Sequence, residues 1–199
     1  MFQLLIATRN QNKVNEIAAL LAADLSGWRL YSLDDLDIAE SVEETGKTFI
    51  ENARIKALFF SRFTSLPTLG EDSGLVVPAL GGRPGIFSAR YAGKNAGDER
   101  RIDKLLREME SVTDRSARFV CSAVLAREGA VIATFTARVR GEILAGKAGN
   151  HGFGYDPVFF YPPLHKTFAE LTLEEKNRVS HRAAVFRKLQ KFMLSGKGS

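Results

Sequence analysis

Two carboxylates stand side by side at Glu71 and Asp72, followed by the hydroxyl of Ser73 and the permissive backbone of Gly74. The apolar lead-in Leu66-Pro67-Thr68-Leu69 predicts a short buried strand that Gly70 ends, which puts both acids on a loop at the strand's end. Adjacent acids repel each other unless a cation lies between them, and hard oxygen ligands on a loop suit Mg²⁺. A polar turn with two solvated acids is the plainer reading of the same residues. The glycines and prolines that follow, Gly81-Gly82, Pro84-Gly85 and Gly93, predict a long loop with little core of its own. Such segments carry sites more often than they carry scaffolds.

A second group of chemical interest is Thr8-Arg9-Asn10-Gln11-Asn12-Lys13. It falls between an apolar run, Phe2 to Ala7, read as a buried strand, and a helix whose Val14, Ile17, Ala18, Leu21 and Leu25 recur at helical spacing. The turn from strand to helix exposes unpaired N–H groups that bind anions. Thr8 and Asn10 add hydrogen-bond donors and Lys13 adds charge. The glycines of a Walker A loop are missing, and Asn and Thr also simply cap helices. A third group is the glycine-rich stretch from Gly146 to Gly154, which ends in Gly152-Phe153-Gly154-Tyr155-Asp156-Pro157. An aromatic ring between glycines has room for a stacked base, although Phe153 could equally pack into a core.

The elements that must position these residues follow from the remaining pattern. Trp28 to Leu33 predicts a strand leading into an acidic run, Asp34 to Glu44, with no base inside it. Thr48 and Glu51 form a capping box opening a helix to about Phe63, with Ile50, Ala53 and Ala57 on one face. Lys56 could reach a ligand from this helix, although an isolated helical lysine is usually just solvated. Asp98 is expected to cap a helix with Ile102, Leu105, Leu106 and Met109 inward. Phe119, Cys121, Ala123 and Leu125 alternate as a strand; Glu128-Gly129 turns the chain, and Val131 to Val139 returns as the partner of a hairpin. Val158 to Tyr161 is a further strand. A last helix, Glu174 to Leu194, turns Val179, Ala183, Phe186, Leu189 and Met193 inward and carries Ser180-His181-Arg182 in its early turns.

With 199 residues, 45% of them hydrophobic, the chain can bury one sizeable core, as one domain or two closely packed lobes. No run approaches the roughly 18 apolar residues of a membrane span, and no secretory signal is expected, so the cytoplasm is the default. The single cysteine, Cys121, lies in an apolar run and reads as a core thiol. The net charge of +5 is concentrated from Lys176 to Ser199, where seven Lys or Arg stand without an acid. A basic tail suits a polyanionic partner, or it is only a solvated helix face.

Taken together these segments closely resemble the inosine triphosphate pyrophosphatase family, the Ham1-type enzymes for non-standard purine nucleoside triphosphates. The resemblance covers nearly the whole chain. It rests on Thr8-x-Asn10-x-x-Lys13, Glu43-Glu44-Thr45-Gly46, Phe49-Ile50-Glu51-Asn52-Ala53 with Lys56, Glu71-Asp72-Ser73-Gly74-Leu75, Gly81-Gly82-x-Pro84-Gly85 and Ser88-Ala89-Arg90-Tyr91. It continues through Gly152-Phe153-Gly154-Tyr155-Asp156-Pro157, Thr167-Phe168-Ala169-Glu170-Leu171, Glu175-Lys176-Asn177 and Ser180-His181-Arg182. Any one of these is a weak signal, but all of them in order are specific. Many members have Asp in the first acidic position, where this chain has Glu71.

The resemblance implies an α/β fold: a single domain over residues 1–199 of two elongated lobes, with a central twisted mixed sheet and the active site in the cleft between them. It implies a homodimer that hydrolyses ITP, dITP and XTP to the monophosphate and pyrophosphate with Mg²⁺. Asp72 would be the general base, with Glu43, Glu71 and Asp72 the metal ligands. Thr8, Arg9, Asn10, Gln11, Asn12, Lys13, Lys56, Ser73 and Lys176 would bind substrate, chiefly its phosphates. Phe153, with Gly154 and Tyr155, would take the purine, and Asp156, His181 and Arg182 would approach its edge. Cleavage between the α- and β-phosphates independently requires charge compensation, a metal on the phosphate oxygens and an activated water. The small polyanion makes bulk nucleic-acid binding unnecessary, and no membrane partner is expected. Two alternatives remain open at this point: a house-cleaning pyrophosphatase for other modified nucleotides, and a basic nucleic-acid-binding module, which leaves the paired acids unexplained.

Overall fold

The computed structural model describes residues 2–24 and 27–196. Strand β1 (Phe2–Ile6) is followed by helix α1 (Gln11–Asp24) and strand β2 (Trp28–Tyr31), which pairs with β1 in parallel. Helix α2 (Phe49–Phe60) leads to β3 (Thr68–Val76), parallel to β1 on its other side. Helix α3 (Asp98–Glu108) precedes β4 (Ser116–Arg127) and β5 (Ala130–Ile143). The short strands β6 (Phe159–Tyr161) and β7 (Lys166–Thr167) then add on in antiparallel fashion. Helices α4 (Leu173–Val179) and α5 (His181–Leu194) close the chain. The strand order β2-β1-β3-β4-β5-β6-β7 makes one mixed sheet, and the fold is mixed α/β as expected.

Residues group into two compact units, one of Met1–Asp72, Cys121–Ala137 and Arg182–Ser199, the other of Ser73–Val120 and Arg138–His181. In the first, the period of two along each strand sorts side chains to two faces. Leu4, Ile6, Leu69, Cys121, Ala123 and Leu125 pack with Ile17 of α1 and Val185, Phe186 and Leu189 of α5. Leu5 and Ala7 turn the other way, toward Phe60 of α2. Ala53 and Ala57 of α2 pack with Val124 and Ala126. Because helices cover both faces here, β1 and β4 read as nearly continuous apolar runs rather than as alternation. The second unit is built on Phe119, Phe159 and Phe168, with Leu75, Ile102, Leu105, Met109 and Tyr155 around them.

Several boundaries differ from the sequence-based expectation. Gly70 does not end a strand: β3 runs through Gly70, Glu71 and Asp72 to Val76. The glycine is there for close approach, since a Cβ on it would lie 2.2 Å from the Ala53 carbonyl oxygen and 2.6 Å from the Ala57 nitrogen of α2. The expected final helix is two, because Ser180 is extended (φ −71°, ψ 157°) between α4 and α5. Asp98 is the first residue of α3, and Gly97 is its N-cap. Thr48 does cap α2, accepting from Glu51 N at 3.2 Å, but the Glu51 carboxylate takes Lys47 N rather than the Thr48 amide. In α1, Ala18 is exposed and Glu16 is buried, so the inward face is not the purely apolar one expected. Leu25, the side chain of Leu21 and the tail residue Lys197 lie outside the described residues. Among the described residues no helix is long and apolar enough to cross a membrane.

Candidate active site

Because Glu71 and Asp72 are consecutive in β3, their carboxylates point to opposite faces of the strand. They are therefore not a shared pair on a loop but two separate environments. Glu71 is 1% exposed. Its Oε2 lies 2.7 Å from Lys13 Nζ of α1, and its Oε1 accepts from Arg182 Nη2 at 3.2 Å and from the Cys121 thiol at 3.2 Å. Arg182 Nη1 pairs with Glu16. The result is a buried chain Lys13–Glu71–Arg182–Glu16. Burial alone would push the Glu71 carboxyl up, but Lys13 and Arg182 together hold it well below the usual range. Burial pulls the Lys13 ammonium down, with Arg182 adding to that, but the charge and hydrogen bond of Glu71 together with the charge of Asp72 leave it raised. Burial and the Glu71 charge push the Cys121 thiol well up, so it stays protonated and is no nucleophile.

Asp72 faces the α2 side. Its Oδ2 accepts from Asn52 Nδ2 at 3.2 Å, and its Oδ1 is 3.9 Å from Lys56 Nζ, which is 3.1 Å from Glu44 Oε2. Asn52 Oδ1 in turn accepts from Gly46 N at 2.8 Å, fastening the Glu43–Gly46 segment to the same place. Here burial wins: it raises the Asp72 carboxyl above its ordinary value, with Glu44 and Glu71 adding to the rise and Lys56 and Lys13 opposing it. A partly desolvated carboxylate with raised proton affinity beside two lysines is suited to accept a proton near bound phosphates.

The turn before α1 is built as a cap. Asn10 Oδ1 accepts from Lys13 N at 3.2 Å, and Thr8 Oγ1 accepts from Asn10 N at 3.2 Å, so both oxygens order the backbone that presents Lys13. Arg9 is occupied otherwise, reaching Asp34 Oδ1 at 2.8 Å and the carbonyls of Ile38 and Glu40, where it clamps the acidic segment. Gln11 bonds Asn15 one turn on, and Asn12 is exposed. Ser73, half-buried, follows Asp72 in β3.

In the second unit Asp156 is 3% exposed and pairs with Lys176. The same Asp156 oxygen accepts from Phe153 N at 2.9 Å, and Lys176 Nζ stands 5.0 Å from the Phe153 ring centroid. Lys176 thus belongs with the aromatic group, as a cation over its face. Gly154 holds φ +64°, with nothing within 4 Å of where a Cβ would be, so the platform has open space beside it. Tyr155 is 4% exposed and donates its hydroxyl to the Ser88 carbonyl at 3.0 Å. His181 is buried and stacks on Phe119, with ring centroids 4.7 Å apart. Arg182, expected at the base edge, is 2% exposed with both terminal nitrogens on carboxylates. A buried guanidinium needs such partners, and these two commit it to α1 and β3.

Glu44, Asn52 and Glu16 belong to these arrangements and were absent from the expected set. Two of them leave a trace in the sequence: Asn52 stands four residues before Lys56, and Glu16 three after Lys13, each on its lysine's helix face. Whether Glu43 or Glu44 turns inward depends on an extended segment with no periodic signal, and the structure turns Glu44. Glu44 and Asp72, which flank Lys56, could hold a divalent cation, while Glu71 faces Lys13 and Arg182 on the other side of β3. Among the described residues no group of three or more His, Cys, Asp or Glu forms a cage. Mg²⁺ is typically held by one or two carboxylates together with waters and substrate phosphates, which matches such a sparse donor set.

The fold is a mixed α/β sheet flanked by helices, with Lys13 on one helix, Lys56 on another and a largely buried Asp72 on the sheet's β3. The chain belongs to the Ham1 family, whose sequence model matches residues 4–192. A dITP/XTP pyrophosphatase of Halalkalibacterium halodurans is 46% identical over 195 residues, covering 97% of this chain and all of the relative. One of Geobacter sulfurreducens is 50% identical over 92% of each chain. The structure of a HAM1 protein from Coxiella burnetii superposes with a TM-score of 0.88 at 40% identity, covering 98% of this chain and 100% of that one.

Proposed function

We propose that this protein hydrolyses non-standard purine nucleoside triphosphates (ITP, dITP and XTP) between the α- and β-phosphates, releasing the monophosphate and pyrophosphate. The observation that carries this reading is Asp72, a buried carboxylate of raised proton affinity held by Asn52 and flanked by Lys56. It accepts the proton of the attacking water. Lys13 and Lys56 bind the triphosphate, and the capped turn at Thr8 and Asn10 offers the α1 N-terminus to the same charge. Asp72 and Glu44 would hold Mg²⁺, and the ion would supply charge neutralisation for the phosphates. Glu71 serves by holding Lys13 in place. Phe153, fixed by Asp156 and backed by Lys176, stacks on the purine, with Gly154 leaving space for it and His181 in the same unit. The full-length relationship to dITP/XTP pyrophosphatases supports this substrate class. The protein acts, in this reading, as a cytoplasmic homodimer on small nucleotides. The test is pyrophosphate release from ITP, XTP, dITP, ATP and GTP with and without Mg²⁺. Fast release from the first three alone, and only with Mg²⁺, is expected; equal rates on ATP and GTP, or rates unchanged without Mg²⁺, overturn the respective part.

A further inference from the structure

Helix α3 carries a row of cations that the site above does not use. Arg100, Lys104 and Arg107 recur at i, i+4 and i+7 on one face and, with Asp103, Tyr91 and Gly93, line a concavity of about 500 Å³. That volume is in the range of small-ligand pockets. Lys104 is anchored, donating to the Tyr91 carbonyl at 2.8 Å with its ammonium 4.4 Å from the Tyr91 ring centroid. Asp103, the one acid of the lining, is 3.9 Å from Lys147 and so is shared with a cation from elsewhere. The neighbouring Arg101 shows how this helix usually satisfies a guanidinium: it pairs with Asp98 and donates to the Ala89 carbonyl at 2.7 Å. Arg100 and Arg107, by contrast, are exposed and make no ion pair or hydrogen bond among the described residues. Like charges one turn apart oppose helix formation, and an anion between them would relieve the repulsion.

We propose that this concavity is a second anion site that takes an oligophosphate, with Arg100 and Arg107 each holding one phosphate group. Arginine suits this task because its planar fork matches phosphate geometry. A ligand with two linked phosphates offers one group to each arginine, whose long side chains can converge across two helical turns, so inorganic pyrophosphate is the probe and orthophosphate the control. It shares no lining residue with Lys13, Lys56 or Asp72, and the binding does not rest on the proposed hydrolysis.

The test is a titration of the ¹⁵N-labelled full chain with pyrophosphate, without divalent cation, followed by amide chemical shifts. Expected are saturable shifts at Gly93, Arg100, Lys104 and Arg107. Each exposed pair is worth little, so in the double variant Arg100→Ala/Arg107→Ala binding here should weaken by about tenfold. Shifts at residues 8–13 should persist in that variant, and both side chains are exposed, so the variant should fold. Orthophosphate should bind this site more weakly than pyrophosphate. The proposal is overturned if these amides do not saturate, if sodium chloride at equal ionic strength moves them equally, or if the double variant binds as the original does.

Discussion

At the scale of single residues, the two adjacent acids do opposite things because a strand sends them to opposite faces. Asp72 is the one whose ionisation costs the fold. Its carboxyl is raised in the folded protein, so the folded state holds that proton more tightly than the unfolded chain does. This favourable contribution is present at low pH and is lost as pH rises through the raised value. Asp72→Asn should therefore lower turnover of ITP by at least about 10²-fold while leaving Tm equal to or above that of the original protein at neutral pH. The Tm difference should vanish toward acid pH, where Asp72 is itself protonated. Near-normal turnover, or a large drop in Tm, would refute the assignment. Arg182 presents the contrary case. Its guanidinium holds Glu16 and Glu71 in a buried network, so Arg182→Ala takes a buried cation away from both carboxylates, and Glu71 keeps Lys13. The expected cost is about 3–5 kcal/mol, read by chemical denaturation, with activity on ITP and ATP reduced by the same factor. A loss confined to ITP would return Arg182 to the role of base reader.

At the scale of elements, the hairpin was legible and the central strand was not. Glu128 and Gly129 both take positive φ, 50° and 79°, as a two-residue hairpin turn needs. Gly70 carries the same local signal of a break, yet it lies inside β3 because α2 comes too close for a side chain. Gly70→Ala would put a methyl group against the backbone of Ala53 and Ala57, so it should destabilise by about 1–3 kcal/mol or more. A ΔΔG below about 0.5 kcal/mol, the range of neutral surface substitutions, would mean that α2 yields easily. The break at Ser180 had no signal at all, since neither glycine nor proline marks it. Its consequence is large: it starts α5 at His181 and puts Arg182 in the first turn, beside α1.

At the scale of the whole molecule, the buried ion-pair chain sets a pH window. Glu71 titrates well below 4.5 in the folded protein, so its contribution is fully present above the unfolded value and is lost as pH falls. Lys13 is raised, so its share is present below its ordinary value of 10.5 and is lost only as pH rises beyond that. Stability should accordingly fall with acid below about pH 4.5, with a shallower slope in Glu71→Gln, as equilibrium denaturation at several pH values would measure. A slope unchanged by that substitution would show that Glu71 does not set the acid limit. What the sequence determined by itself was the α/β class, most elements and the set of motifs, because apolar periodicity and capping residues act locally and the motif types state their chemistry. The tertiary structure decided which groups meet. Glu71 met Lys13 and Arg182 on one face of β3 while Asp72 met Asn52 and Lys56 on the other, Glu44 rather than Glu43 reached Lys56, and Tyr155 was buried. Those outcomes depend on which face a strand residue takes and which helix packs there, and long-range packing chooses both.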